Sequence, residues 1–311
     1  MLQRIKKEIP SSDGIHTLRG IVLVPENPKG ILQIVHGMTE HIGRYESFMQ
    51  YLAENGFIVC GHDHLGHGKT AANESEYGYF AKKDGHKLLS EDAFLFGNAV
   101  KKDHPGLPLI LLGHSMGSFV VRSTVREHPN ACDALIIMGT SGKNPLAFPG
   151  LLVSRIIRRI RGEKHVSKFV SNVAFSSYNK YTESEHPFAW LTRDETVLET
   201  HDADPMCTFE FTVSAMCDLI LLQSLCNKRS WFGNIPRELP ILLVAGDCDP
   251  VGNYGKGVEE VYRRLRAAGA RNVSCKLYPG MRHEILKEIG KETVWKDMLD
   301  FLTAQILKEN F

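Results

Sequence analysis

Apolar residues along this 311-residue chain recur in two distinct patterns. Short apolar-rich segments bounded by Gly, Pro, Asn and Asp predict strands at residues 18–24, 31–36, 57–61, 108–112, 134–138, 241–245 and 273–277. A turn rich in Pro and Asn, Pro25-Glu26-Asn27-Pro28-Lys29-Gly30, separates the first two. Helical spacing appears at residues 45–55, at about 116–128 and 255–268, and at 291–308. It is clearest over 86–103, where Leu88, Leu89, Ala93, Phe96 and Val100 recur on one face. Strands alternating with helices predict an α/β fold with a mostly parallel central sheet flanked by helices on both faces.

The alternation stops between about residues 143 and 233, where short helical patterns dominate and no strand is evident. The interruption falls between two core strands. It predicts a core built from residues 1–142 and 234–311, with 143–233 inserted as a helical cap over the C-terminal edge of the sheet. Open α/β sheets bind ligands at that edge.

Composition narrows the class. With 43% hydrophobic residues, the chain can bury one large α/β domain plus an insertion. A net charge of +1 gives none of the basic excess that nucleic-acid binding requires, so no nucleic-acid partner is expected. Met1–Glu8 is positively charged but lacks an apolar h-region, and no secretory leader is read there. No run approaches the roughly 18 uninterrupted apolar residues of a membrane span. The seven cysteines (60, 132, 207, 217, 226, 248 and 275) are odd in number and form no Cys-x-x-Cys pair. That usage predicts a reduced, cytoplasmic protein without a zinc ribbon.

The chemistry enters at Pro108–Gly117, where an apolar strand runs through Gly113-His114-Ser115-Met116-Gly117 into a helix. Strand, Gly-x-Ser-x-Gly and helix in succession predict a nucleophile elbow, which holds the serine hydroxyl above the sheet edge. A serine hydroxyl needs a base to take its proton and an acid to hold that base. With such an elbow, the acid and then the histidine follow in chain order, each beyond a late strand. Gly246-Asp247-Cys248-Asp249-Pro250-Val251 follows the strand at 241–245, and Tyr278-Pro279-Gly280-Met281-Arg282-His283 follows the strand at 273–277. Ser115, Asp249 and His283 are the expected catalytic residues. Asp247 is expected to shape its turn. The oxyanion of a tetrahedral intermediate needs donors, and these are assigned to the backbone N–H groups of Met116 and of Met38 in His36-Gly37-Met38.

These residues resemble the monoacylglycerol lipase and lysophospholipase group of the α/β-hydrolases (serine aminopeptidase S33-like hydrolases). The resemblance covers nearly the whole chain. It rests on His36–Tyr45 (HGMTEHIGRY), Gly61–Gly68 (GHDHLGHG), Gly113–Gly117, Asp249 and His283. The first two blocks are far more specific than the elbow. The resemblance implies the α/β-hydrolase fold, hydrolysis of carboxyl esters through an acyl-enzyme, no cofactor and no metal, substrates carrying one acyl chain, and a mobile cap that admits lipid. Members of the group often have a small residue where Met38 stands. The backbone donor survives this departure, while the side chain narrows the pocket beside the oxyanion.

Other readings attach to particular segments. His62-Asp63-His64-Leu65-Gly66-His67 approaches the His-x-His-x-Asp-His run of two-metal hydrolases, but Gly66 stands where that run needs Asp, and a structural loop is expected. In Leu151–Arg161, Leu152, Val153, Ile156, Ile157 and Ile160 share a helical face and the arginines mostly lie elsewhere. Such a helix either covers an acyl pocket or rests transiently on an anionic membrane surface, making the protein peripheral there. Phe188–Asp194 is expected to pack the cap, with Trp190 as an alternative lining of the acyl tunnel. Cys248 is expected to be inert packing, not a redox switch. Two further function classes compete with the lipid esterase, besides an esterase of small soluble esters. An aminopeptidase would use an acidic cap residue such as Glu183, Glu185, Asp202, Asp204 or Glu210 to hold a substrate amine. An idle binding protein would have no use for the triad.

Overall fold

A computed structural model describes residues 1–308 of the chain. Eight strands form one sheet: β1 (Gln3–Pro10), β2 (Thr17–Val24), β3 (Gly30–Val35), β4 (Phe57–His62), β5 (Leu109–His114), β6 (Ala134–Met138), β7 (Ile241–Gly246) and β8 (Val273–Tyr278). Their order across the sheet is β1-β2-β4-β3-β5-β6-β7-β8. The pairings β1–β2 and β2–β4 are antiparallel and the rest are parallel. Every residue of β3, β4, β5, β6 and β7 is buried, which is why these segments read as largely apolar runs. Alternate side chains feed opposite faces: Leu111, Leu135, Ile137 and Leu243 enter one apolar cluster, and Ile110, Leu112, Ile136 and Val244 enter another.

Helices cover both faces. On one lie α1 (Glu46–Glu54) and α10 (Lys291–Lys308), through Met49, Leu52, Val294 and Met298. On the other lie α2 (Gly85–Asp103), α3 (Met116–Glu127) and α9 (Lys256–Ala267), through Leu89, Val120, Val121 and Val261. The chain leaves the sheet after β6 and returns at β7, and between them it forms α4 (Ala147–Arg161), α5 (Lys168–Phe175), α6 (Glu195–Asp202), α7 (Val213–Cys226) and α8 (Arg229–Asn234). Ser167, Asp194 and Thr212 start α5, α6 and α7 by accepting a backbone N–H with the side chain.

These five helices divide into two groups. Ala215, Leu222, Cys226 and Trp231 of α7 and α8 join the same apolar cluster as α2, α3 and α9. The buried Arg122 of α3 fastens them there: its Nη2 donates to the Cys226 carbonyl at 2.5 Å, and its guanidinium lies 4.4 Å from the Trp231 ring. By contrast, Ser154 is the one buried residue of α4, and Val170 that of α5.

Candidate active site

Ser115 sits between β5 and α3 at φ 53° and ψ −119°. A non-glycine residue at positive φ is strained by roughly 1–3 kcal/mol, so the surrounding packing must impose it. A Cβ on Gly117 would lie 2.0 Å from the Val35 carbonyl oxygen, and one on Gly113 would lie 2.3 Å from the Gly117 oxygen. No side chain fits at either position, as the elbow motif predicts. The Ser115 amide donates to the Met138 carbonyl at 3.0 Å, which pins the turn to β6.

Asp249 and His283 come together from the loops after β7 and β8. His283 Nδ1 lies 2.9 Å from Asp249 Oδ2, and both residues are buried. The other Asp249 oxygen accepts the Val251 N–H at 2.9 Å. Asp247 instead accepts the Gly280 N–H at 2.7 Å and ties one loop to the other, the turn-shaping part expected of it. Burial is the largest influence on His283 and works downward. The charge and hydrogen bond of Asp249, with Glu284 and Glu40 behind it, outweigh burial and raise the imidazole above its ordinary value. The Trp190 ring rests 5.1 Å from the His283 ring, and the Glu284 amide donates to the Leu191 carbonyl at 2.7 Å. Phe188–Asp194 therefore both packs its segment, through the buried Ala189 and Leu191, and lines the site through Trp190.

The turn after β3 closes the other side. A Cβ on Gly37 would lie 3.1 Å from the Ser115 Cβ, so this backbone runs directly beside the serine. Met116 is the first residue of α3, so its N–H has no partner inside the helix. Met38, Ser115, Met116 and His283 line one cavity of ≈ 1020 Å³. Its walls are largely apolar, including Val153, Phe169, Val173, Phe209, Phe211 and Ile220.

Beneath the turn lies a charged network that the sequence reading did not assign. Glu40 Oε1 accepts the Gly37 N–H at 2.5 Å, the Tyr45 hydroxyl at 2.7 Å and His114 Nδ1 at 3.0 Å. Arg44 bridges Glu40 at 3.2 Å and Glu284 at 2.5 Å, and Lys287 lies 3.7 Å from Glu40. His114 Nε2 faces the His283 carbonyl at 3.4 Å, and the two rings are 4.7 Å apart. Burial alone would push the Glu40 carboxyl up. Lys287, His114 and Arg44 outweigh it and hold Glu40 well below the carboxylate range. Glu284 is likewise brought to about 2, against burial, by Arg44 and Lys287. Glu40, Arg44 and Tyr45 lie inside the quoted motif block, and His114 inside the elbow. Their convergence had no sequence signal.

The histidine-rich loop serves as a fastener. Asp63 accepts the Ile42 and Lys69 N–H groups at 2.8 and 2.7 Å, and His67 Nε2 accepts the Thr39 N–H at 3.3 Å. Neither ring nitrogen of the buried His62 has a hydrogen-bond partner in the protein. On the outer side, Leu152, Ile156 and Ile160 of α4 are 53%, 50% and 73% exposed, while Val153 lines the cavity. Cys248 is exposed, and burial together with Asp247 pushes its thiol up, away from reactivity. Of the acidic residues suited to an amine, Glu210 lines the cavity, Asp202 and Asp204 are paired with histidines, and Glu183 and Glu185 are exposed.

A family described as serine aminopeptidase, S33, matches residues 26–290. A monoacylglycerol lipase of Mycolicibacterium smegmatis is 24% identical, the match covering 94% of this chain and 95% of the relative. Human monoglyceride lipase is 26% identical over 86% of this chain and 79% of its own. Among solved structures, a thermostable carboxyl esterase from Bacillus coagulans in complex with glycerol superposes with a TM-score of 0.91 at 29% identity, covering 97% of this chain and 99% of the esterase.

Proposed function

The chain belongs to the serine aminopeptidase S33 family of α/β-hydrolases, and from that premise we propose that it cleaves carboxyl esters of single-chain acyl lipids through an acyl-enzyme. The observation that carries the reading is the buried His283–Asp249 pair, whose histidine shares with Ser115 a largely apolar cavity of ≈ 1020 Å³. That volume is at the top of the range for small-molecule sites and accommodates an extended acyl chain. The similarity to monoacylglycerol lipases and to a carboxyl esterase supports an ester substrate.

In this mechanism His283 Nε2 takes the Ser115 proton as Oγ attacks the ester carbonyl. The Met38 and Met116 N–H groups hold the oxyanion. Asp249 keeps the Nδ1–H tautomer and stabilises the imidazolium. His283 protonates the departing alcohol, then activates the water that cleaves the acyl-enzyme. Residues 143–233 act as the cap, with α4 and α5 as its lid and α7 and α8 as its anchor on the core. The exposed apolar side of α4 rests transiently on anionic membrane surfaces, which would make the protein peripheral. Among the described residues, no helix is long and apolar enough to cross a membrane.

The test is fatty-acid release from a chain-length series of monoacylglycerols and matching lysophospholipids, with Ser115→Ala as the blank. Turnover should rise with acyl length up to the depth of the cavity. The variant should lose at least about three orders of magnitude in kcat. Near-normal ester turnover by Ser115→Ala would remove the mechanism. Release only from short soluble esters would remove the lipid assignment.

A further inference from the structure

Away from the proposed triad, three metal-competent side chains converge. Among the described residues, His41, Asp204 and Cys207 are the one group of three whose ligand atoms all lie close together, within 4.8 Å of one another. His41 belongs to the turn that carries Met38. Asp204 and Cys207 belong to the segment just after α6. We propose that these three residues form a binding site for zinc or a closely similar divalent transition-metal ion, bridging the oxyanion-side turn to the inserted segment.

The donor set argues for this ion class. One imidazole, one carboxylate and one thiolate are all common zinc ligands, and hard cations such as magnesium or calcium would not select the sulfur. The local backbone already holds two of the ligands in place. The Cys207 amide donates to the Asp204 carbonyl at 2.9 Å, and the Met206 amide donates to Asp204 Oδ1 at 2.8 Å. Asp204 Oδ2 is left facing His41 Nε2 at 2.8 Å. Ligand bonds of about 2.0–2.3 Å place tetrahedral ligand atoms roughly 3.3–3.8 Å apart, so the pair need open by only about 1 Å. The site is reachable: the His41 and Asp204 side chains are 13% and 24% exposed, and Cys207 lines the cavity. Arg44 and Lys287, the nearby cations, are already committed to Glu40 and Glu284.

Without metal, burial holds the Cys207 thiol up at about 12, so it is protonated at neutral pH. Binding forms the Zn–S bond and releases that proton to solvent. His41 offers its Nε2 lone pair, and Asp204 offers Oδ2. Three protein ligands leave a fourth position for water. The ion would join the Met38 turn to residues 203–208, restraining the inserted segment against the core. The histidine run at 62–67 offers no rival site, because His67 Nε2 and both Asp63 oxygens are occupied by backbone N–H groups.

The test uses the full chain without a polyhistidine tag, stripped with chelator and titrated with Co²⁺ and then with Zn²⁺. One Co²⁺ should bind per chain and produce the near-ultraviolet charge-transfer band of a cobalt–thiolate bond, which Zn²⁺ then abolishes. Cys207→Ser should remove the band. His41→Asn and Asp204→Asn should each weaken binding at least tenfold. Cys248→Ser should change nothing. Absence of stoichiometric binding, or a band that survives in Cys207→Ser, would overturn the site. Should the Cys207 variant fail to fold, the double variant His41→Asn with Asp204→Asn decides: it should lose the cobalt–thiolate band, and a band that survives would overturn the site. Neither readout depends on ester hydrolysis.

Discussion

The Glu40 carboxylate takes hydrogen bonds from Gly37, Tyr45 and His114 and lies against Arg44 and Lys287, so its charge acts on the oxyanion turn, the elbow and the His283 loop together. With Glu284 it adds to the effect of Asp249 in raising the His283 imidazole. In the proposed mechanism His283 must be neutral to accept the serine proton. A raised imidazole therefore places the acid limb of kcat/KM above the ordinary histidine value of about 6.5. Glu40→Gln removes the charge while keeping the shape. The limb should move to lower pH, kcat should fall about tenfold or more, and leaving Arg44 and Lys287 with Glu284 as their one carboxylate should cost roughly 3 kcal/mol of stability. Tyr45→Phe removes one donor and should shift the same limb less. The measurement is the pH profile of kcat/KM beside thermal melts. A lower melting temperature with an unmoved acid limb would leave Glu40 a purely structural part.

At the scale of elements, α4 is the one whose packing least explains its sequence. Leu152, Ile156 and Ile160 are exposed on a helix that also carries Arg155, Arg158, Arg159 and Arg161. Contact with an anionic bilayer would bury the apolar residues while the arginines meet lipid phosphates. Ile156→Glu with Ile160→Glu should weaken sedimentation with phosphatidylglycerol-containing vesicles by about 30-fold or more, taking ~1 kcal/mol or more per lost side chain. Equal sedimentation of variant and parent would dismiss the docking face. The amphipathic pattern of α4 was legible in the sequence, but its outward direction was not, because periodicity gives a face without saying what the face meets. The central strands were legible because burial on both sides leaves largely apolar runs. β1 was not. It is a charge-rich edge strand, largely exposed, and it is held through its eight-residue register with β2. Ser115, Asp249 and His283 were legible because each follows a strand in a recognisable motif. The Glu40 network was not, because Glu40 meets His114 across 74 residues and Arg44 meets Glu284 across 240.

For the whole molecule, the buried histidines at the ends of β3 and β4 set how the fold responds to acid. Burial, the largest cause in each case, holds His36 and His64 well below the ordinary range and brings His67 to about 4 and His62 to about 3. A histidine lowered in the folded state contributes stability that is complete above the unfolded value near 6.5. That stability is lost as pH falls toward the folded value, because only the unfolded chain takes up the proton. His283 has the opposite sign: its pairing with Asp249 contributes below about 6.5 and fades as pH rises through its raised folded value. Glu40 and Glu284 contribute fully above the ordinary carboxylate value of about 4.3 and lose that contribution as pH falls below it toward the folded value, for Glu284 about 2. Between pH 6.5 and 4.5 the four buried histidines therefore dominate, and calorimetric stability should fall across that window before the carboxylates titrate. His62 isolates the effect, because it packs against Phe96 at 4.8 Å and its ring makes no hydrogen bond that a substitution would break. Replacing it by an apolar residue of similar volume removes two buried, unpaired nitrogens and one proton-binding site. His62→Leu should stabilise the protein at pH 5 by about 2 kcal/mol more than at pH 8, since 1.5 pH units below 6.5 correspond to about that free energy. Equal shifts at the two pH values would mean that His62 carries none of the acid sensitivity, and the burden would pass to His36, His64 and His67.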